Sequence, residues 1–562
     1  MIQGPPGTGK TQTILNIIAN AVINNCTVAV VSNNNSATHN VVEKLQKKQL
    51  DFLTAFLGSR ANREAFLESQ TDVYPDMSGW QIPAQSLAEA YENVRNLAQE
   101  IDIRLNDKNR IAAIDQELLE LDPESKYFDE YYRSNKGSID DGGLRLSSQK
   151  AMMLLNEYEF AIKSQKKLGL FSKLRILLLY SSAAVKLFTA KPDEAIPYLQ
   201  KQFYIAKSAE LHRERVLQRF SFEEKAKALT ELSMRIFRHE RRCKYGGNHV
   251  RKHYDKTAFG REAEEFNREY PVILSTTYSV RSSLNSAHVY DYLIVDESSQ
   301  VDLATGVLAL SCAKNVVIVG DLKQLPNVLT GEEIRKADSF WNESLGEQYC
   351  FSKHSLLSSA LDVWKNAPVV LLREHYRCHP KIINFCNQKF YDGQLIVMTQ
   401  DYGENDTLTL YRTVAGNHAR GHINQREVDV IKNEVLPKLR AEGYTDIGVI
   451  TPYRDQVHEL RRQLPGDLEV DTVHKFQGRE KDAIILTSVD NVISDFVDDY
   501  HMMNVAVSRA VKVLVVVTSQ NTRNDQTNYG DLARYISYHN YEIINSSIYS
   551  VFDMLYIAPP LL

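Results

Sequence analysis

Eight consecutive residues near the start constrain this chain more than any others: Gly4-Pro5-Pro6-Gly7-Thr8-Gly9-Lys10-Thr11. They fit the pattern G-x-x-x-x-G-K-[ST], in which glycines let successive backbone N–H groups turn inward around phosphate oxygens. The Lys10 ammonium suits the terminal phosphates, the Thr11 hydroxyl suits Mg²⁺, and Gln12 extends the loop. The run Thr13-Ile14-Leu15-Asn16-Ile17-Ile18 behind it reads as a helix, whose N-terminal dipole also favours an anion. Such a loop belongs between a buried strand and a helix, so the fold must contain an α/β sheet that holds a nucleoside triphosphate.

Short apolar runs support that sheet and predict a second one. Residues 27–31, 272–274, 292–295 and 316–319 form one group, and residues 369–372, 447–450, 483–486 and 513–517 another. Strands that are apolar throughout and separated by helices imply parallel, doubly wound sheets covered on both faces. The stretch from 46 to 270 breaks the rhythm. Leu97, Ile101 and Leu105, then Ile111, Ile114, Leu118 and Leu121, keep helical spacing, which predicts a long, mainly helical insertion.

Charge is informative only locally. The net charge of −5 favours no partner, but residues 163–256 hold 22 Lys+Arg against 9 Asp+Glu. Such a segment either tracks a phosphate backbone or is a solvated helical face. The six cysteines include no C-x-x-C pair, so neither a zinc site nor a disulfide framework is expected. No apolar run is long enough to span a bilayer, because Leu174–Phe188 is interrupted by Arg175 and Lys186. A cytoplasmic protein without membrane partners is the default expectation.

Downstream of the loop, "YLIVDESSQ" (292–300) puts Asp296 and Glu297 at the end of an apolar strand. Ligands of open α/β sheets bind beyond the carboxyl ends of strands, so these carboxylates should face the phosphate loop. Asp296 can hold Mg²⁺, and Glu297 can orient and deprotonate the attacking water. "VVIVGDLKQLP" (316–326) is another strand ending in a turn, with Gln324 placed to read a γ-phosphate.

Together these segments resemble superfamily 1 helicases of the Upf1-like branch. Gly4–Thr11 resembles motif I, Asn34–Leu45 motif Ia, Asp296–Gln300 motif II and Gly320–Pro326 motif III. "LREHYRCHPKIINFCNQKFYDGQL" (372–395) resembles motif IV, and "VITPYRDQ" (449–456), "VDTVHKFQGREKDAIILTSV" (470–489) and "NVAVSRA" (504–510) complete a second core. The resemblance covers about half the chain, residues 1–45 and about 270–520. It implies two RecA-like cores, ATP with Mg²⁺, single-stranded DNA or RNA as partner, and 5′-to-3′ movement. It also implies that Arg377 and Arg509 point at the γ-phosphate, that Tyr376 stacks on adenine and that Glu480 lies near the nucleotide sugar. Asn35, Thr277, Pro452, Tyr453, Thr472 and Gln477 fall where the family touches the nucleic-acid backbone or couples it to ATP. Departures include Asn33-Asn34 where Pro-Ser is commoner, and His39 and His474 where Asp is frequent.

The expected organisation is therefore core 1 from residues 1–45 and 271–365, a helical insertion at 46–270, core 2 at 366–520, and a tail at 521–562. A ring ATPase fits poorly, since Asp296 lies 286 residues beyond Lys10. A nucleic-acid clamp that hydrolyses ATP without separating strands, or an inactive binding module, are the alternatives. Only Met1, Ile2 and Gln3 precede Gly4, fewer than the five or six residues of a typical strand. The expectation is thus a fragment or misassigned start, with weak ATP binding and early melting.

Overall fold

The computed structural model describes residues 1–33, 35–134, 144, 146–163, 170–188, 190–217, 222–247, 250–404, 406–414, 419–520 and 525–548. Seven strands form the first sheet: β1 (Ile2–Gln3), β2 (Val28–Ser32), β3 (Thr54–Phe56), β4 (Val272–Thr276), β5 (Tyr290–Val295), β6 (Ala313–Gly320) and β7 (Val370–Leu371). Their order is β3-β4-β2-β5-β6-β1-β7, and every pairing is parallel. The reason is visible in β2. Val28 and Val30 enter one core cluster and Ala29 and Val31 another, so both faces are covered. Each such valine contributes roughly 1.5–3 kcal/mol of burial.

The second sheet repeats the design. After β7 in the chain come the paired short strands β8 (Glu374–His375) and β9 (Ile396–Val397). Then follow β10 (Leu408–Thr413), the hairpin β11 (Ala419–Arg420) and β12 (Ile423–Asn424), β13 (Ile447–Thr451), β14 (Glu469–Thr472), β15 (Lys481–Thr487), β16 (Ala510–Ser519) and β17 (Glu542–Asn545). The parallel order is β14-β13-β15-β16-β10-β17. Ile484 and Leu486 face one cluster, and Ala483 and Ile485 the other. The architecture is α/β with two doubly wound parallel sheets, as in tandem RecA-like domains.

Two details differ from the sequence reading. The run at 369–372 was assigned to the second core, yet β7 adds to the first sheet, with Ile2 opposite Val370 and Gln3 opposite Leu371. The expected insertion also gives part of itself to the first core. β3 joins the sheet, Met77, Trp80, Phe237 and Tyr245 fill one cluster, and Tyr254, Phe259 and Phe266 fill the other.

The separate compact unit comprises residues 97–227 with 538–540. The 51-residue helix Ala84–Ser134 runs into it, and helices Ser148–Lys163 and Pro192–Leu217 pack within it. Ile114, Leu118 and Leu211 bury together, flanked by Arg110–Glu214 at 2.7 Å, Lys207–Glu117 at 3.0 Å and Arg215–Asp115 at 2.5 Å. Part of the local positive charge is thus spent on acidic neighbours, because Arg175, Lys225, Arg251 and Lys252 are also ion-paired. All six cysteines are unpaired thiols, and no described helix is long and apolar enough to cross a membrane.

Candidate active site

The phosphate loop leaves β1 and turns into helix Lys10–Ile23 through Gly9, which holds φ +84°. Gly7 holds φ +69°, and a Cβ there would stand 2.5 Å from His375 Cε1 and 2.8 Å from Arg377 Cβ. Glycine is therefore required at this point for packing as well as for conformation. The Gly4 N–H donates to the Gly320 carbonyl at 2.9 Å, and Lys10 Nζ donates to the Gly4 carbonyl at 2.7 Å. The Thr8 hydroxyl donates to the Pro5 carbonyl at 2.7 Å, which tightens the turn.

A cavity of about 370 Å³ opens against this loop, a size suited to a small-molecule ligand. Pro5, Pro6, Gly7, Thr8, Gly9, Lys10, Thr11 and Gln12 line one side, with Asp296, Glu297 and Gln324 from the ends of β5 and β6. Across it stand Tyr376 and Arg377, and Gln477, Glu480 and Arg509 from the second core. Gly4 is held by Gly320 and Lys10 and does not line the cavity. Asn40 and Lys44 also line the cavity; the sequence reading placed their stretch in motif Ia but singled out neither residue.

Glu297 sits at φ +49°, a left-handed conformation that costs a non-glycine residue strain and is common at functional sites. Its backbone N–H donates to Asp296 Oδ1 at 2.9 Å. Burial first, and the neighbouring Glu297 charge second, raise the Asp296 carboxyl above its ordinary range, while Lys10 opposes the shift. A cation at this carboxylate would relieve that cost. Asp296 and Thr11 both line the cavity and carry hard oxygen donors, the donor type that Mg²⁺ takes.

Three buried polar atoms on the cavity wall have no partner among the described residues: Glu297 Oε2, Arg377 Nη1 and Gln477 Nε2. Buried polar groups are normally satisfied, so these atoms mark places for a polar ligand or water. Arg377 Nε meets Glu480 Oε2 at 2.5 Å, so Glu480 orients the guanidinium while itself lining the cavity. Arg509 is nearly fully buried and donates to the Val505 carbonyl at 3.0 Å and the Arg479 carbonyl at 3.3 Å. Burial, then repulsion from Arg377, lowers its pKa to about 10, which leaves it charged at neutral pH. Tyr376 is half exposed, with its hydroxyl donating to Glu374 and its N–H to the Gly7 carbonyl at 2.9 Å.

His375 escaped the sequence reading. Its Nε2 accepts the Cys378 N–H at 2.7 Å, so Nδ1 carries the proton and donates to the Pro6 carbonyl at 2.8 Å. Burial drives its pKa down to about 3, so the ring is neutral. It ties the phosphate loop to the segment that carries Arg377. Only its place two residues before Arg377 could have flagged it.

The residues expected to touch nucleic acid do not form one exposed surface. Thr277, Pro452 and Thr472 are buried, and Gln477 lines the cavity. Tyr453 is half-buried, stacks against His422 at 4.2 Å and packs at a tilt against Phe496 at 5.5 Å between ring centroids. The Asn35 side chain lies outside the described residues. His39 stacks on Phe56, a packing role.

Two family models, each described as an AAA domain, match residues 1–331 and 352–521. Helicase sen1 of Schizosaccharomyces pombe is 31% identical over 280 residues, covering 45% of this chain and 16% of that protein. The DNA replication ATP-dependent helicase/nuclease DNA2 of Gallus gallus is 27% identical over 270 residues, covering 46% of this chain and 26% of that protein. The chain thus spans about a quarter or less of the length of these two relatives. Among solved structures, Arterivirus nonstructural protein 10 (helicase) is 12% identical over 46% of this chain and 44% of its own, with TM-score 0.25.

Proposed function

Since this chain belongs to the Upf1-like branch of the superfamily 1 helicases, we propose that it is an ATP-driven motor that moves along single-stranded DNA or RNA, 5′-to-3′. The observation that carries this reading is the cavity itself. One chain brings Lys10, Asp296, Glu297 and Gln324 from the first core against Arg377 and Arg509 from the second.

Each residue has a part in that reading. Lys10 exchanges the Gly4 carbonyl for the terminal phosphates, while the loop N–H groups cradle them. Glu297 takes the proton of the attacking water through a carboxylate oxygen that has no partner among the described residues. Arg377 and Arg509 spread positive charge over the transferring phosphoryl group, an effect worth on the order of 10³-fold or more. Tyr376 offers a half-exposed ring face to the adenine. Mg²⁺ held by Thr11 and Asp296 would neutralise phosphate charge. Closure and reopening of the two cores around each nucleotide then alternate the grip on the strand.

The test is the ATPase rate with single-stranded DNA, with single-stranded RNA and without either, followed by strand displacement on substrates with 5′ or 3′ overhangs. Stimulated turnover with displacement from the 5′ overhang supports the reading. Stimulated turnover without displacement reduces it to a clamp or remodeller, and no turnover overturns it.

A further inference from the structure

Beside the nucleotide cavity, a buried polar network joins the two cores. Asp321 closes the turn after β6, where its Oδ1 accepts the Lys323 N–H at 2.9 Å. Its Oδ2 accepts the Gln324 side-chain amide at 2.8 Å and the Tyr391 hydroxyl at 2.7 Å. Asn504 Nδ2 donates to the Tyr391 oxygen at 2.7 Å and to the Lys323 carbonyl at 2.7 Å. Asp321, Gln324, Tyr391 and Asn504 are all buried.

The positions of the members give the network direction. Gln324 also lines the nucleotide cavity. Tyr391 caps helix Pro380–Phe390, which follows Arg377 in the chain. Asn504 lies in helix Tyr500–Val507, which leads to Arg509. Both arginine-bearing segments of the second core are therefore tied to one carboxylate of the first. Burial, reinforced by the Asp321 charge, holds the Tyr391 phenol well above its ordinary range, so it remains a donor.

We propose that Asp321, Tyr391 and Asn504 form a clasp through which Gln324, on meeting a γ-phosphate, positions Arg377 and Arg509. When a phosphate oxygen draws the Gln324 amide, Asp321 Oδ2 keeps the Tyr391 hydroxyl as its remaining side-chain donor. That bond tightens, and with it the register of the two cores. Tyr391 and Asn504 are positioning residues, since neither lines the cavity. This rests on reading the cavity as an ATPase site.

A double-mutant cycle on the full chain tests it. The kcat and KM for ATP are measured with poly(dT) and poly(U) for wild type, Tyr391→Phe, Gln324→Ala and the double variant. Tyr391→Phe removes one hydroxyl and keeps the ring. It should lower kcat about tenfold, the size of one hydrogen bond to a charged group, with KM changed less than about threefold. The double variant should be no slower than Gln324→Ala alone, because both changes cut the same line. Undiminished kcat in Tyr391→Phe, or effects that multiply in the double variant, would overturn the clasp and leave the ATPase reading standing. A wild type without turnover overturns both. If Tyr391→Phe does not fold, Asn504→Ala replaces it in the same cycle with the same expectations.

Discussion

Replacing His375 with asparagine should remove a pH dependence as well as some stability. The ring is buried, donates to the Pro6 carbonyl and accepts the Cys378 N–H. Its folded-state pKa of about 3 lies well below the ordinary histidine value of about 6.5. A base with a lowered folded pKa stabilises the fold fully above its unfolded pKa. That stability is lost as pH falls, because the unfolded chain takes up a proton that the fold refuses. The loss is about 1.4 kcal/mol per pH unit below 6.5, or about 2 kcal/mol by pH 5. Asparagine can still donate to Pro6 but leaves the Cys378 N–H without an acceptor, an offset of roughly 1–3 kcal/mol that does not depend on pH. His288, His379, His474 and His539 are also lowered by burial, but they act in both proteins and cancel in the difference. Urea unfolding followed by tryptophan fluorescence at pH 7, 6 and 5 reads the gap between wild type and His375→Asn. That gap should narrow by about 2 kcal/mol between pH 7 and pH 5. A constant gap would refute the reasoning, since His375 would then accept a proton inside the fold.

Lys10→Ala should weaken ATP binding and abolish turnover, whereas Glu297→Gln should keep binding and lose turnover, because only proton acceptance is removed. Equal loss of affinity in nucleotide titrations of both variants would sink that division of roles. Arg377→Ala should lower kcat on the order of 10³-fold while ATP affinity changes less than tenfold, and a kcat within a factor of ten would place the arginine outside the transition state. Reversing charge at Lys207, Arg215 and Lys225 should leave the salt dependence of single-strand binding unchanged, since each already pairs with an acidic neighbour. A log–log slope reduced by about 0.7 per residue would instead show that these cations face phosphate.

What could be read from the sequence follows from what leaves a local trace. β2, β5, β15 and β16 were legible because burial on both faces leaves near-continuous apolar runs. Val370–Leu371 was legible as an apolar pair but not as a member of the first sheet. Two residues carry no period, and their membership depends on pairing with Ile2 and Gln3 some 370 positions away. β3 and β17 were missed for a similar reason, being short and only partly buried. The Tyr391–Asn504 bond and the His375 bridge leave no pattern either. A buried polar contact is specified by where two backbones meet, and its letters resemble those of any surface tyrosine, asparagine or histidine.

The strand-end residues show the same limit at the scale of one side chain. A motif places a stretch of backbone at the carboxyl end of a parallel strand, where ligands gather, but it does not say which of two adjacent residues turns outward. At the end of β4 the expected nucleic-acid contact was Thr277, yet its side chain is fully buried. Tyr278 beside it is 73% exposed. Thr277 and Tyr278 follow the strand in a turn, where Thr277 packs inward and Tyr278 faces solvent. An exposed tyrosine there carries a ring face on which a base can stack, which a threonine lacks. The motif fixes the segment, while the packing of Thr277 leaves Tyr278 as the exposed side chain there.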